Sequence, residues 1–518
     1  MSAATLPMVP TYPRADAAAW LAVAAGALGA MMATLDISIV NSALPTIQGE
    51  IGASGTEGTW ISTAYLVAEI ITIPLSGWLE KVLGLRTLLL AAALLFTGFS
   101  MLCGASHSLP MMIAGRAGQG FSGGTLIPTA MTIIATRLPP PQQPIGNTLF
   151  GGTVILGPVV GPVLGGWLTE NASWHYAFFI NLPVGAALVM LLTVGLPHQR
   201  LRTDLLRQAD WLGIAGLALG LGGLTVVLEE GEREEWFASS EIRILAIVSV
   251  IGFALLALGQ LRSEKPVIRL ALLRDRQFGA IAALVTVAGM VIYGTAYVIP
   301  QFLVSIAGYN ALQAGEVVLF SAIPTLAMMP FTPRLVRLLD IRLAVGLGMA
   351  LMAFSAWHET DISSQTAGST FAFSQVLRGF GTMFAMAWMN QASIRSVAPE
   401  LAGDASGLYN TARNLGGSLA LAGIAVVQDQ RIWLHSRRIE ESLSANSPQV
   451  QTYMADRAQA LGGMDNAYRS LSGTIQTEAL VMTYVDLFWI LTMIVIVLMP
   501  LVLLLRPLPK GGRMVMAH

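Results

Sequence analysis

Charge is what this chain has least of. Charged residues fill 11% of its 518 positions, against roughly 25% in soluble domains. Basic and acidic side chains cancel to a net charge of -1, which leaves no basic face for nucleic acid, and no nucleic-acid partner is expected. Cysteine is nearly absent. The single Cys103 excludes an internal disulfide and any multi-cysteine metal site. The six histidines are scattered through loops and ends. No His pair has ligand spacing, no Gly-x-x-x-x-Gly-Lys loop cradles phosphate, and no nucleophile elbow appears. No enzyme constellation, metal or cofactor is therefore expected. The polar, Pro-containing stretch Met1 to Asp16 lacks a basic-apolar-small order, so no cleavable signal peptide is expected.

Hydrophobic residues, by contrast, make up 54% of the chain, and glycine is abundant at 52 residues, as in close-packed membrane helices. Fourteen apolar runs are candidate spans: 19–45, 58–79, 87–105, 109–136, 145–169, 175–196, 211–228, 242–261, 277–306, 313–337, 342–358, 369–394, 405–428 and 484–505. They are too long and continuous for barrel strands, so they predict helices that satisfy their own backbone. The run 342–358 is short, and 277–306 is long enough to tilt or bend.

Lys and Arg set the orientation. With the N-terminus inside, the inner loops hold Lys81 and Arg86; Arg200, Arg202 and Arg207; Arg262, Lys265, Arg269, Arg274 and Arg276; and Arg334, Arg337 and Arg342. The C-terminal tail adds Arg506, Lys510 and Arg513. The acidic loop from Glu229 to Glu241 falls outside. Both termini are thus predicted to be cytoplasmic. Between the last two spans lies a polar segment, 429–483. Val427 to Leu443 is predicted to continue the preceding span, Leu461-Gly-Gly-Met464 to turn, and Tyr468 to Leu480 to return as a second helix. The alternative is an irregular loop.

The fourth run carries Gly115-Arg116-Ala-Gly-Gln-Gly120 and the twelfth Leu377-Arg378-Gly-Phe-Gly381. Setting runs seven and eight aside gives two halves of six, the plan of secondary transporters with a midplane site between halves. The domains that follow are a tail (1–18), a six-helix bundle (19–197), a linker with two extra spans (198–275), a second six-helix bundle (276–506) carrying the 429–483 hairpin, and a tail (507–518).

Ionisable groups inside the runs are Asp36, Glu69, Arg116, Arg378 and Arg413. Intramembrane charge is costly and marks polar pathways. Burial disfavours the charged form of a carboxyl group, so Asp36 and Glu69 are candidate proton carriers. Structural hydrogen bonds or ion pairs between helices are the alternative. Arg116 stays charged and would pair with a carboxylate and release it on protonation, or clamp carbonyls. Arg413 is expected to bind carbonyls or loop ends near the inner face. Gly157-Pro158-Val-Val-Gly161-Pro162-Val-Leu-Gly165-Gly166 predicts a kinked helix with a small-residue face, read as a tight contact between bundles, with simple close packing as the alternative. Asn41, Tyr293, Tyr297, Met386 and Trp388 are candidates for an adaptable cavity wall; core or lipid-facing positions are the alternative. Trp60, Trp174, Trp236 and Trp489 are read as interface anchors.

These motifs resemble a known family. Leu35-Asp-Ile-Ser-Ile-Val-Asn-Ser-Ala-Leu-Pro45 is similar to the first-span motif of the fourteen-span drug:proton antiporters of the major facilitator superfamily, and to the EmrB type in particular. Arg116 with Gly120 matches their span-four motif. Gly157 to Gly166 matches their antiporter motif, and Phe179-Ile-Asn-Leu-Pro183 the start of span six. The loop Gly77-Trp-Leu-Glu80-Lys81-Val-Leu-Gly84-Leu-Arg86 keeps Gly77, Gly84 and Arg86 of the family's gating loop, but Lys81 and Val82 replace its acidic-basic pair, with Glu80 one position away.

The resemblance implies an all-α membrane protein with two six-helix bundles and two linker spans. It implies export of hydrophobic or amphipathic compounds in exchange for protons, in a bacterial inner membrane. It also implies a periplasmic adaptor (membrane fusion protein) and an outer-membrane channel as partners, beside membrane lipids. With no nucleotide site, an ion gradient would supply the energy. A dedicated exporter of a lipid, an aromatic acid or a siderophore is the alternative.

Overall fold

The computed structural model describes residues 14–507, apart from 55–56, 203, 264–265 and 445. The expectations on Lys265, Lys510, Arg513 and most of both tails lie outside the described residues. Apart from the short Asp204–Arg207 turn and the Pro448–Leu461 helix, the described helices group into fourteen rods. The first six are α1 (Ala17–Ile51), α2 (Trp60–Leu83), α3 (Leu85–Gly104), α4 (Leu109–Arg137), α5 (Gln143–Asn171) and α6 (Asn181–Gly195). The linker pair is α7 (Trp211–Glu230) and α8 (Ser240–Arg262). After α9 (Arg276–Ser305) comes α10, built from three pieces, Ala311–Leu319, Ala322–Met328 and Thr332–Leu338. Then follow α11 (Ile341–His358), α12 (Gly368–Arg395), α13 (Ala402–Ser442) and α14 (Met464–Leu498). Among the described residues, no strand appears.

Eight of the rods are long and apolar enough to cross a membrane, so the chain is a multi-pass membrane protein. Local chemistry sets where several of them start. Asp16, Asp210, Asp275 and Asp340 are the N-caps of α1, α7, α9 and α11, and each side chain accepts from a backbone N–H of the first turn. A capping carboxylate satisfies donors that the helix itself leaves free.

The helix pairs repeat at an offset of eight. In the first bundle α1 packs on α4, α5 and α6, α4 on α2 and α3, and α3 on α6. In the second, α9 packs on α12, α13 and α14, α12 on α10 and α11, and α11 on α14. The two halves are therefore one design used twice.

The apolar core places the halves against each other. One face carries Ala15, the α4–α5 turn and Leu505, and is called here the terminal face. On this side one buried cluster runs through both bundles, from Leu126 and Ile133 of α4 to Ile281 of α9 and Met383 of α12. Towards the opposite face it divides. Ile39, Ile47 and Phe178 belong to one cluster, and Phe302, Phe371 and Phe488 to another. The bundles share one core towards the terminal face, and each has its own core at the other.

Some predicted elements differ in detail. The single run 313–337 is broken twice. Pro324 and Pro333 remove backbone donors in the second and third pieces. At the first break the Ser321 carbonyl lies against Gly379 of α12, where a Cβ would collide with it. The sixth rod opens with a separate turn, Tyr176–Phe179, ahead of Asn181–Gly195. The segment after α13 forms its own helix, Pro448–Leu461, and Gly462, with φ +78°, makes the turn into α14. That positive φ suits glycine. The expected return helix, Tyr468 to Leu480, and the last apolar run are one continuous rod, Met464–Leu498.

Candidate functional site

Asp36 is 1% exposed, and four elements converge on it. Arg116 of α4 donates to Oδ2 at 2.5 Å. Gln119 of α4 and Asn181 of α6 donate to Oδ1 at 3.0 and 2.7 Å. Asn181 also donates to Ser100 of α3 at 2.9 Å, and Ser100 to the Phe178 carbonyl. Arg116 is held further by the Ile61 carbonyl at 3.1 Å, and its guanidinium lies 4.3 Å from the centre of the Tyr65 ring. Spacing explains the pairing on α4: positions 116 and 119 share one helical face. Such a buried charge pair, bonded on nearly every side, is a costly and well-ordered arrangement.

Glu69 differs. It is 3% exposed, and its carboxylate accepts no hydrogen bond among the described residues. The charges acting on it are Arg413, Arg116 and Asp36. Arg413 lies 11 residues into α13, or about 16 Å at 1.5 Å per residue, so it faces Glu69 in mid-seam. The expected contact with loop ends near the face is not what is found. Its hydrogen bonds run to Asn414 Oδ1 at 3.4 Å, an atom that Tyr293 also approaches at 3.5 Å.

The gating loop bridges the bundles. Lys81 Nζ donates to both oxygens of Asp404 on α13, at 2.9 and 2.7 Å. Arg269 stands 4.0 Å from the same carboxylate. Gly77 packs on the Gly403–Asp404 backbone, where a Cβ has no room, and Glu80 lies near Gly403. Gly84 takes φ +75° between α2 and α3, and Arg86 is partly buried in the first turn of α3. Deeper in the same seam, Ser406 donates to the Pro128 carbonyl at 2.8 Å. Arg395 of α12 donates to the Pro140 carbonyl at 3.2 Å.

The antiporter motif lies elsewhere than expected. A Cβ at Gly157, Gly161 or Gly165 would collide with Thr34, Ser38 or Ser42 of α1. The small-residue face therefore seats α5 on α1 within one bundle. Pro162 and Gly166 ride in the same unbroken helix, as does Pro158. Cross-bundle contact of α5 is made from Gly152 to Met329 instead. The second bundle repeats the device, with Gly416 of α13 against Thr286 of α9.

Among the cavity candidates, Asn41 accepts from Ser62 at 2.8 Å in an exposed pair. Tyr293 and Tyr297 are exposed. Met386 is partly buried beneath the Tyr409 hydroxyl. Trp388 is corrected to the core: it is fully buried and stacks on Phe384. Trp174 is corrected likewise. It is buried and donates to Glu50 at 2.8 Å.

Arg378 is paired with Glu359 at the end of α11, and Ser374 donates to that carboxylate at 2.8 Å. Sequence reading missed Glu359 because it falls just past a span. It also passed over Gln119 and Asn181, although one lies a helical turn from Arg116 and the other inside a quoted motif. Asp404 had a signal as well, in Gly403-Asp-Ala-Ser-Gly407, at the start of the span facing the gating loop.

Two repeated bundles meeting on one face around buried charge define a membrane transporter of the major facilitator type. The profile of the Major Facilitator Superfamily matches residues 26–421, and the chain belongs to that family. The colistin resistance protein EmrB of Acinetobacter baumannii is 33% identical, over 90% of this chain and 90% of its own. The multidrug export protein EmrB of Escherichia coli K12 is 32% identical over 94% of each. The fatty acid resistance protein FarB of Neisseria gonorrhoeae is 29% identical over 96% of this chain and 98% of its own. Within the superfamily the chain is of the EmrB multidrug-transporter type. The fold matches the human organic anion transporter MFSD10 with a TM-score of 0.57, at 15% identity, over 92% of this chain and 99% of that one.

Proposed function

We propose that this protein exports hydrophobic and amphipathic compounds in exchange for protons, by alternating access, as the inner-membrane part of a tripartite pump. The observation that carries the reading is the Asp36–Arg116 pair buried in the first bundle. Charge kept at this depth is expensive and is retained where it works. All fourteen rods are taken as spans, with both termini cytoplasmic, so the joined terminal face faces the cytoplasm. The shared core and the Lys81–Asp404 pair then close the cytoplasmic side. Substrate binds from the cytoplasmic side when Lys81 and Asp404 separate. Outward opening and proton entry release it, and the protonated carrier rocks back.

Asp36 and Glu69 are the two carrier candidates, and they differ in kind. Asp36 accepts three hydrogen bonds, so a proton taken there removes the charge that Arg116, Gln119 and Asn181 all face and loosens the Arg116 pair. Glu69 accepts none among the described residues, and a proton there removes a charge that faces Arg413 and Arg116 with no direct bond to either. The functions for which the relatives are named, multidrug export and resistance to colistin or fatty acids, support a lipophilic substrate. The polar hairpin from α13 through Pro448–Leu461 to α14 supports a periplasmic adaptor, with an outer-membrane channel beyond it.

Proteoliposomes test the exchange. An imposed drug gradient should drive proton flux through the native chain. Drug movement with no proton movement under any gradient would sink the coupling.

A further inference from the structure

Two seams run between the bundles, and they are finished differently. In the first, α2 faces α13. The linker pair lies over it, with α7 packed on both α2 and α13 and α8 on α7. An apolar cluster fills the joint, taking Ile70 from α2, Leu217 and Leu221 from α7, and Leu408 from α13. Two adjacent carboxylates at the end of α7 fasten it at both sides. Glu230 accepts from Thr63 of α2 at 2.5 Å and pairs with Arg233 at 2.6 Å, and Arg233 reaches Thr59. Glu229 accepts from Ser418 of α13 at 2.9 Å. The second seam, α5 against α10, has no such cover among the described residues. The helices packed on α5 all belong to the two bundles.

The uncovered seam is also where the helix is broken. Backbone that leaves helical form at bilayer depth is tolerated where protein or a cavity meets it. At the first break of α10 the Ser321 carbonyl and Thr325 turn towards Gly379 of α12. Between α5 and α10 one close contact is Gly152 on the flexible Met329 side chain, and among the described residues no hydrogen bond joins the two helices.

We infer that the linker pair is a seal, which closes the α2–α13 seam to the bilayer, and that amphipathic substrates enter sideways through the α5–α10 seam. This rests on the efflux reading above and adds the route. The linker would travel with the first bundle, which holds it by several hydrogen bonds, while the Glu229–Ser418 bond lets the second bundle slide.

Single cysteines test it. Leu149, one turn before Gly152 on α5, and Phe331, between the last two pieces of α10, are exposed beside the open seam. Leu219 and Ile247 are exposed on the linker pair. The native chain, whose Cys103 is buried, is the unlabelled control. The full chain in liposomes is labelled with a bulky, membrane-soluble aromatic maleimide, and ethidium, an amphipathic cation, is the probe.

Label at 149 or 331 should cut ethidium export about fivefold or more, and excess ethidium should slow the labelling there. Label at 219 or 247 should change neither. Equal losses at the linker positions, or undiminished export with 149 and 331 fully labelled, would overturn the entrance. If the unlabelled chain exports no ethidium, efflux of this cation fails instead. Ethidium protection of 149 and 331 against the maleimide then decides the entrance by itself.

Discussion

At the scale of single residues, the two buried carboxylates should behave in opposite ways. Asp36→Asn strands the Arg116 guanidinium in a site that is almost wholly buried. Breaking such a pair costs about 3–5 kcal/mol, so the variant should melt well below the native chain. Adding Arg116→Gln removes the stranded charge, and the double variant should regain much of the melting temperature but no export. Normal export by the double variant would make the pair purely structural. Glu69→Gln breaks no hydrogen bond among the described residues. It should melt like the native chain yet lose export driven by a pH gradient. Unchanged gradient-driven export would remove Glu69 as a carrier.

Charge inside apolar runs was plain in the sequence. Asp36, Glu69, Arg116 and Arg378 stand out because nothing around them is charged. Their partners were not plain. Asn181 and Ser100 are ordinary polar residues on other helices, and only packing brings them to Asp36. Glu359 was hidden because a carboxylate beyond the last apolar residue reads as solvated.

At the scale of elements, the joint between α2 and α13 should behave as a gate. Lys81 is partly exposed, so its bond to Asp404 contributes modestly to stability, but it ties two rods that must part. Lys81→Met should speed thiol labelling of a cysteine at Asn410, which is fully buried in that seam, from the terminal face. Exchanging the charges, as Lys81→Asp with Asp404→Lys, should slow it again. Labelling at one rate in all three would show that the pair does not hold the face shut.

The α1–α5 contact makes a different demand. Gly161→Leu would push its side chain into Ser38 of the neighbouring helix, so loss of folded protein in detergent is expected, measured by size-exclusion chromatography. Helix positions and the turn at Gly462 could be read from apolar runs and glycine. The destination of the α5 glycine stripe could not, because a small face fits any close neighbour. The breaks in α10 were within reach through Pro324 and Pro333, yet apolar continuity masked them.

At the scale of the whole molecule, the repeat was faint in sequence, visible as two Arg-Gly pairs. In three dimensions it is the organising rule, since the helix pairs recur at an offset of eight. Residues and helix lengths need not match for this, because the same order of helices and the same pairings suffice. Replacing 430–476 by a short flexible linker spares the apolar runs of both bundles, although it removes Arg431 and His435, the partners of Asp486. Such a protein should still export drug in liposomes and should fail to capture the periplasmic adaptor. Retained capture would move the docking surface off the hairpin.

The length of α13 has a mechanical consequence. Its 41 residues make a rod of about 60 Å. One end holds Asp404 against Lys81, and the other forms the first arm of the hairpin. The rod acts as a lever whose far tip magnifies small rotations: a swing of about 10° moves it by about 10 Å. Anything gripping the hairpin would therefore feel each turn of the cycle, and a stiff grip would brake it.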